Sequence, residues 1–354
     1  MKNTYRFISY IIAAATLAGC AKASTEGVNE ANKRYLDAWM SINYSGLTAK
    51  WNGEDNENGI YVIQKAEGTG TEVTENGYAM VSYTTTDLEG NFTAYTDAET
   101  AKQMGVYDST YYYGPEVWMT KDGTIQAGIQ DAVVGMKVGG SKKVVIPSWL
   151  MTYSTYSTAE EYFGHSTDYS NAIYNLTVED FTEDINQWQI DKITSRINEY
   201  YGGVDSFNKD IRIDTTGFYF KSLVEQNADT VAFKSDTTIY INYTGRLLNG
   251  RMFDTNVERT AKDNGLYSSS RTYGPVKINW GETYSDITMN GSSVVSGFAM
   301  ALWNLNDLGD SGKMDKAISV FYSPLGYGTS GSGASIPAYA PLVFEIEIVP
   351  APEE

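Results

Sequence analysis

Residues 238–256 read TIYINYTGRLLNGRMFDTN, and the fold of the chain turns on how they are arranged. Ile239, Ile241 and Tyr243 alternate with Tyr240 and Asn242, the two-residue period of a strand with one buried face. Asn249-Gly250 predicts a two-residue hairpin turn, because both residue types tolerate a positive φ. Phe253-Asp254 then falls on the returning strand. A carboxylate beside an aromatic strand position has little to do in packing, which makes Asp254 a candidate functional group.

Further short motifs follow in order: Tyr273-Gly274-Pro275-Val276-Lys277-Ile278, Val294-Val295-Ser296-Gly297-Phe298, Leu325-Gly326-Tyr327-Gly328, Ser335-Ile336-Pro337, and a closing strand Leu342-Val343-Phe344-Glu345-Ile346-Glu347. Together with Tyr243-Thr244-Gly245 and Phe253-Asp254 they resemble the FKBP-type peptidyl-prolyl isomerases over residues 209–350. Phe298 stands where that family has tryptophan.

The resemblance implies an α+β fold, an antiparallel sheet wrapped on a short helix that begins near Gly297. It implies catalytic roles for Tyr243, Asp254 and Tyr327. It also implies a proline pocket lined by Phe253, Val276, Ile278, Val294, Val295, Phe298, Ile336 and Phe344, with the Val295 N–H and the Tyr327 hydroxyl as donors to substrate carbonyls. Residues 328–335, rich in Gly and Ser, read as a mobile flap, and 306–312 as a long polar loop. The implied partners are proline-containing polypeptides. Rotation about X-Pro requires no cofactor, metal or nucleophile, only a site that binds the twisted amide better than the planar forms.

The chain opens as an export signal over residues 1–19, with Lys2 and Arg6 ahead of an apolar core. Leu17-Ala18-Gly19-Cys20 looks like a bacterial lipobox, so Cys20 is expected to carry lipid and tether the protein to the cell envelope, at the periplasmic or surface face of the outer membrane. Cys20 is the single cysteine in 354 residues, which excludes an internal disulfide. Taking Lys2 and Arg6 from the 26 basic side chains leaves 24 against 44 acidic ones, a net charge of −20. Such a surface repels phosphate backbones and argues against nucleic acid as a partner. One histidine, His165, argues against Ser-His-Asp chemistry and typical zinc sites, and it reads as a surface residue. Oligomeric state is left open.

Residues 20–50 read as a tether followed by an amphipathic helix carrying Tyr35, Leu36, Trp39 and Met40. Beyond it the chain repeats itself. Val81-Ser82-Tyr83-Thr84, Thr100-Ala101-Lys102 and Tyr113-Gly114-Pro115 recur 160 residues later as Ile241-Asn242-Tyr243-Thr244, Thr260-Ala261-Lys262 and Tyr273-Gly274-Pro275. Two copies at this period mean duplicated domains, 51–183 and 209–350, rather than a solenoid. Between them, 184–208 carries Ile190, Ile193, Ile197 and Tyr200 on one helical face, a helix expected to set the domains apart. Each copy has an added segment, 98–112 and 257–272, expected to form either a lip over the substrate site or a surface elaboration.

The first copy departs from the motif. Thr85 replaces the glycine, residues 90–94 offer no acid, and Phe92 fits the aromatic position only with a one-residue slip. Its floor is Ile129, and no Tyr-Gly follows Pro147. The expectation is a first domain without chemistry and isomerase activity confined to the second. The rival readings are a peptide-holding chaperone, which 28 tyrosines favour, and a carbohydrate-binding surface lipoprotein, suggested by the lipobox and by Trp and Tyr.

Overall fold

The computed structural model describes residues 27–353 apart from 166–167, 210, 225–232 and 306–314. The leader with Cys20 lies outside the described residues, as does the polar loop at 306–312.

In chain order the elements are α1 (Val28–Asn43), β1 (Lys50–Trp51), β2 (Glu54–Asp55), β3 (Tyr61–Ala66), β4 (Tyr78–Thr86), β5 (Phe92–Tyr95), α2 (Ala98–Gln103), β6 (Glu116–Met119), α3 (Ala127–Val133), β7 (Ser141–Ile146), α4 (Ala159–Phe163) and β8 (Ala172–Thr182). Then come α5 (Ile185–Tyr200), β9 (Phe218–Ser222), β10 (Thr238–Leu247), β11 (Met252–Thr255), α6 (Glu258–Asp263), β12 (Val276–Asn279), β13 (Thr288–Met289), β14 (Ser292–Ser293), α7 (Ser296–Leu305), β15 (Lys316–Phe321) and β16 (Leu342–Val349). The fold is α+β, two domains built on antiparallel sheets and joined by a helix. One sheet runs β3-β7-β8-β4-β5 with β6 also on β4. The other runs β14-β13-β12-β10-β16-β15-β9 with β11 also on β10. The 160-residue offset survives folding: β4 and β10, β5 and β11, α2 and α6, and β6 and β12 start 160 residues apart.

Strand β10 alternates as its sequence predicts. Ile239, Ile241, Tyr243, Gly245 and Leu247 are buried, and the residues between them are not. Their inner face meets α7, whose Phe298, Met300, Ala301, Leu302 and Leu305 share one core with Ile241, Ile346 and Phe321. A helix apolar on nearly every side needs such a cover on all sides. In the first domain Ile129, Ala132 and Val133 of α3 do the same work, and Leu36 and Met40 of α1 join that core. Tyr35 stays exposed.

The hairpin differs from expectation. Gly250 has φ +87°, but Asn249 is not in the left-handed region, so the turn is not the two-residue kind that needs both. Gly250 N–H donates to Leu247 O at 2.9 Å and Leu247 N–H to Arg251 O at 2.8 Å, which makes a three-residue loop. The Asn249 carboxamide oxygen accepts the Arg251 N–H at 3.0 Å, fixing the asparagine in its local turn.

The joining helix also differs. It is not a free spacer. Asp184 caps α5 by accepting the Asn186 and Gln187 N–H groups. Ile193 and Ile197 then pack with Phe207, Ile318, Val320 and Val343 on the outer face of the second sheet. Gln189 accepts the Ser323 N–H at 2.7 Å, while Trp188 and Lys192 hold Asp180 of the first domain.

The first domain contains a titrating group away from the candidate site. Burial pushes the Asp131 carboxyl up to about 6, against the Asn52 N–H bond and the Lys142 charge. A raised carboxyl favours the fold when protonated. Its contribution is therefore complete below about pH 4 and lost as pH rises through about 6. Asp131→Asn is expected to be about 1–2 kcal/mol more stable than the parent at pH 7.5 and equal to it at pH 4, measured by urea unfolding at both values.

Candidate functional site

The second domain brings Tyr243, Asp254 and a third group together. Tyr243 points inward from β10, and Asp254 comes from β11, opposite Gly245. The Tyr243 hydroxyl donates to Asp254 Oδ2 at 2.6 Å. Arg271, from the added segment 257–272, forms an ion pair with Asp254 Oδ1, and its Nη2 donates to the Tyr243 hydroxyl at 3.2 Å. Burial, then the Asp254 charge, raises the Tyr243 pKa above its ordinary 10. Burial opposes the Arg271 charge, but Asp254 outweighs it and raises the guanidinium pKa. Tyr327 is 38% exposed, and burial together with the Asp254 charge raises its pKa.

Behind this polar edge stands an aromatic cluster. Phe344 meets Phe298 at 4.9 Å and Phe253 at 5.6 Å, both edge-on, and Tyr243 lies 5.8 Å from Phe298. Gly245 makes room for it. A Cβ there would sit 2.5 Å from the Phe253 ring and 3.0 Å from Phe344. Buried Asn256 fixes the backbone by accepting the Tyr243 N–H at 2.7 Å and donating to Ile241 O and Gly274 O.

The other expected lining residues divide. Phe253, Val276, Val294 and Val295 are half-buried, and Ile336 is buried. Ile278 has no exposed surface and packs in the core beside neighbours such as Trp280 and Ile287. Val295 O accepts the Phe298 and Ala299 N–H groups at the start of α7, and among the described residues its own N–H meets no acceptor.

The two domains supply rims to each other. A cleft of about 210 Å³ is lined by Phe253, Asp254, Leu266, Arg271, Ala334 and Ser335, and also by Thr110 and Tyr111 of the first domain. Tyr112 N–H donates to Ala334 O at 2.6 Å, Arg251 donates to Ser109 O at 2.8 Å, and the Tyr112 ring packs on the second core. The added segment 98–112 is thus a lip, but over the other copy's cleft. Residues 328–335, expected to move freely, are tied down: Ser332 and Ile336 exchange backbone hydrogen bonds, and Ala334 receives Tyr112. In return Thr329, Ala338 and Tyr339 line a cleft of about 430 Å³ in the first domain.

The first cleft pairs its own tyrosine with an acid from a different strand. Tyr83 occupies the Tyr243 position, and its hydroxyl donates to Glu116 Oε2 at 2.9 Å. The acid has moved from β5 to β6, where the second copy has Val276. Thr93 stands at the Phe253 position and bonds Thr85 at 2.7 Å, filling the space that Gly245 leaves to a ring. Phe92, paired with Thr86, is exposed and replaces nothing. His165 is exposed as expected and stacks on Tyr156 at 4.0 Å. Arg271, Glu116 and Tyr112 escaped the sequence reading. The usable signal was the placement of an added segment beside each Tyr-Gly-Pro.

No family model matches the chain. The chain is 29% identical over 141 residues to a probable FKBP-type peptidyl-prolyl cis-trans isomerase of Haemophilus influenzae. That match covers 40% of this chain and 45% of the relative, so the chain spans less than half of the relative's length. Among solved structures, a peptidyl-prolyl cis-trans isomerase of Pseudomonas syringae pv. tomato matches at 20% identity and TM-score 0.30, covering 48% of this chain and 97% of that one. The three FKBP domains of wheat FKBP73 match at 13% identity and TM-score 0.26, covering 83% and 94%.

Proposed function

We propose that this chain, a relative of the FKBP-type peptidyl-prolyl isomerases with two such domains, catalyses cis–trans rotation at X-Pro bonds of exported or envelope polypeptides through its second domain. The observation that carries the reading is the Tyr243–Asp254–Arg271 set at the edge of the Phe253, Phe298 and Phe344 cluster. Planarity of the amide rests on resonance that separates charge between nitrogen and oxygen, and its barrier is about 18–20 kcal/mol. An aromatic surrounding disfavours that separation and so favours the twisted form. The donors assigned to the carbonyls in this reading are the Val295 N–H and the Tyr327 hydroxyl. Asp254 and Arg271 hold the Tyr243 phenol in one orientation.

No proton changes hands in this scheme. The phenols of Tyr243 and Tyr327, both raised above 10, stay protonated from pH 5 to 8. The rate of isomerisation of an X-Pro peptide is expected to be flat over that range. Tyr327→Phe is expected to lower it only by about one hydrogen bond, ~0.5–1.5 kcal/mol. A bell-shaped profile, or a rate abolished by Tyr327→Phe alone, overturns the mechanism. The assay itself tests the function. Binding of prolyl peptides without acceleration supports instead a holding role, which the first-domain residues over the second cleft favour.

The location proposed is the bacterial cell envelope, by lipid on Cys20. Mass spectrometry of the native N-terminus is expected to find Cys20 acylated and first in the mature chain.

A further inference from the structure

We propose that the cleft of the first domain binds a lysine or arginine side chain of an extended polypeptide. Its walls are the rings of Tyr83, Trp118, Tyr153, Tyr174 and, from the second domain, Tyr339. Tyr83 and Trp118 lie 5.0 Å apart, and Tyr83 and Tyr174 lie 6.2 Å apart, so several faces and edges converge on one space. Glu116 lies among them and is exposed. Aromatic faces with a carboxylate at their rim suit an alkyl stem that ends in a cation.

The comparison with the second copy points to a cation rather than a proline ring. Asp254 has its charge answered within the protein by Arg271. The residue 160 places before Arg271 is Tyr111, which lines the other domain's cleft. Glu116 therefore has a phenol donor but, among the described residues, no ion pair. A charge left unanswered at the edge of an aromatic cleft is a docking point for an opposite charge brought from outside. The net charge of −18 draws basic segments toward the molecule.

Tyr339 adds a second, independent sign. It has φ +58°, a conformation rare for a bulky side chain, and such strain gathers where a ring must be aimed. Its N–H is held by Gly328 O at 2.9 Å, and its ring meets Tyr78 edge-on at 5.5 Å at the first domain's cleft. The second domain thus completes a site that the first domain cannot close by itself. The inference does not depend on turnover in the second domain, since it concerns a different cleft and a different side chain.

The test uses the full chain and two blocked, proline-free decapeptides that differ at one position, lysine in one and norleucine in the other. Isothermal titration is expected to show the lysine peptide binding at least tenfold tighter. Glu116→Gln, which keeps an acceptor for Tyr83, is expected to erase that preference and to leave the rate of X-Pro isomerisation unchanged. Glu57→Gln, an exposed acid elsewhere on the first domain, is expected to keep the preference, which separates the site from general surface charge. Tyr153→Leu, at an exposed wall position, is expected to weaken the lysine peptide at least threefold and the norleucine peptide less. Equal binding of the two peptides by the parent protein overturns the proposal, as does a preference that persists in Glu116→Gln.

Discussion

Replacing Asp254 with valine is expected to slow prolyl isomerisation by the full chain about tenfold to a hundredfold. The carboxylate accepts from the Tyr243 hydroxyl and pairs with Arg271, and hydrogen bonds to charged groups contribute ~1.5–3 kcal/mol each. Without it the phenol loses its acceptor and the guanidinium, already 39% exposed, turns to solvent. The edge of the cleft then has no fixed donor geometry. Asp254→Asn keeps an oxygen for Tyr243 but not the ion pair, so its rate should fall between the two. The measurement is kcat/KM on an X-Pro peptide, read as a transition-state free energy, with a thermal melt as control. An unchanged rate in a folded Asp254→Val protein removes the Tyr243–Asp254–Arg271 set from the reaction.

The second large effect concerns packing. Gly245→Thr is expected to destabilise the second domain by about 2–3 kcal/mol, because its Cβ would fall 2.5 Å from the Phe253 ring. The first domain contains the compensated version, Thr85 against Thr93 at 2.7 Å. Gly245→Thr with Phe253→Thr is therefore expected to recover much of the loss, with a coupling of about 1–2 kcal/mol in a double-mutant cycle. Isomerase activity should not return, since the pocket wall is gone. Denaturant unfolding of the four proteins checks the cycle. Additive effects would show that the two positions do not share one space.

Local relations were legible in the sequence. The alternation of β10, the Gly-bearing turn and the Phe253-Asp254 pair lie within 19 residues, so spacing alone places Tyr243 near Asp254. The 160-residue offset was legible for the same reason, since aligned motifs keep their order. What escaped depends on where a side chain arrives after folding. Arg271 reaches Asp254 from the far end of an added segment. Glu116 replaces an acid from the neighbouring strand, so a position-by-position comparison of the copies registers only a missing residue at Ala94 and an unremarkable change at Val276. Ile190, Ile193 and Ile197 predicted the helix but not what would cover it, because an apolar stripe is equally satisfied by a partner or by the chain's own sheet.

The exchange of rims has a historical consequence. Duplication usually yields modules that can be lost, shuffled or fused one at a time. Here Tyr112 of the first half of the chain closes on Ala334 of the second, and Tyr339 of the second faces Tyr78 of the first. Deleting either copy would strip the survivor of part of its own mouth. A deletion in one copy therefore reaches the cleft of the other, and the two are expected to be kept or lost as a pair.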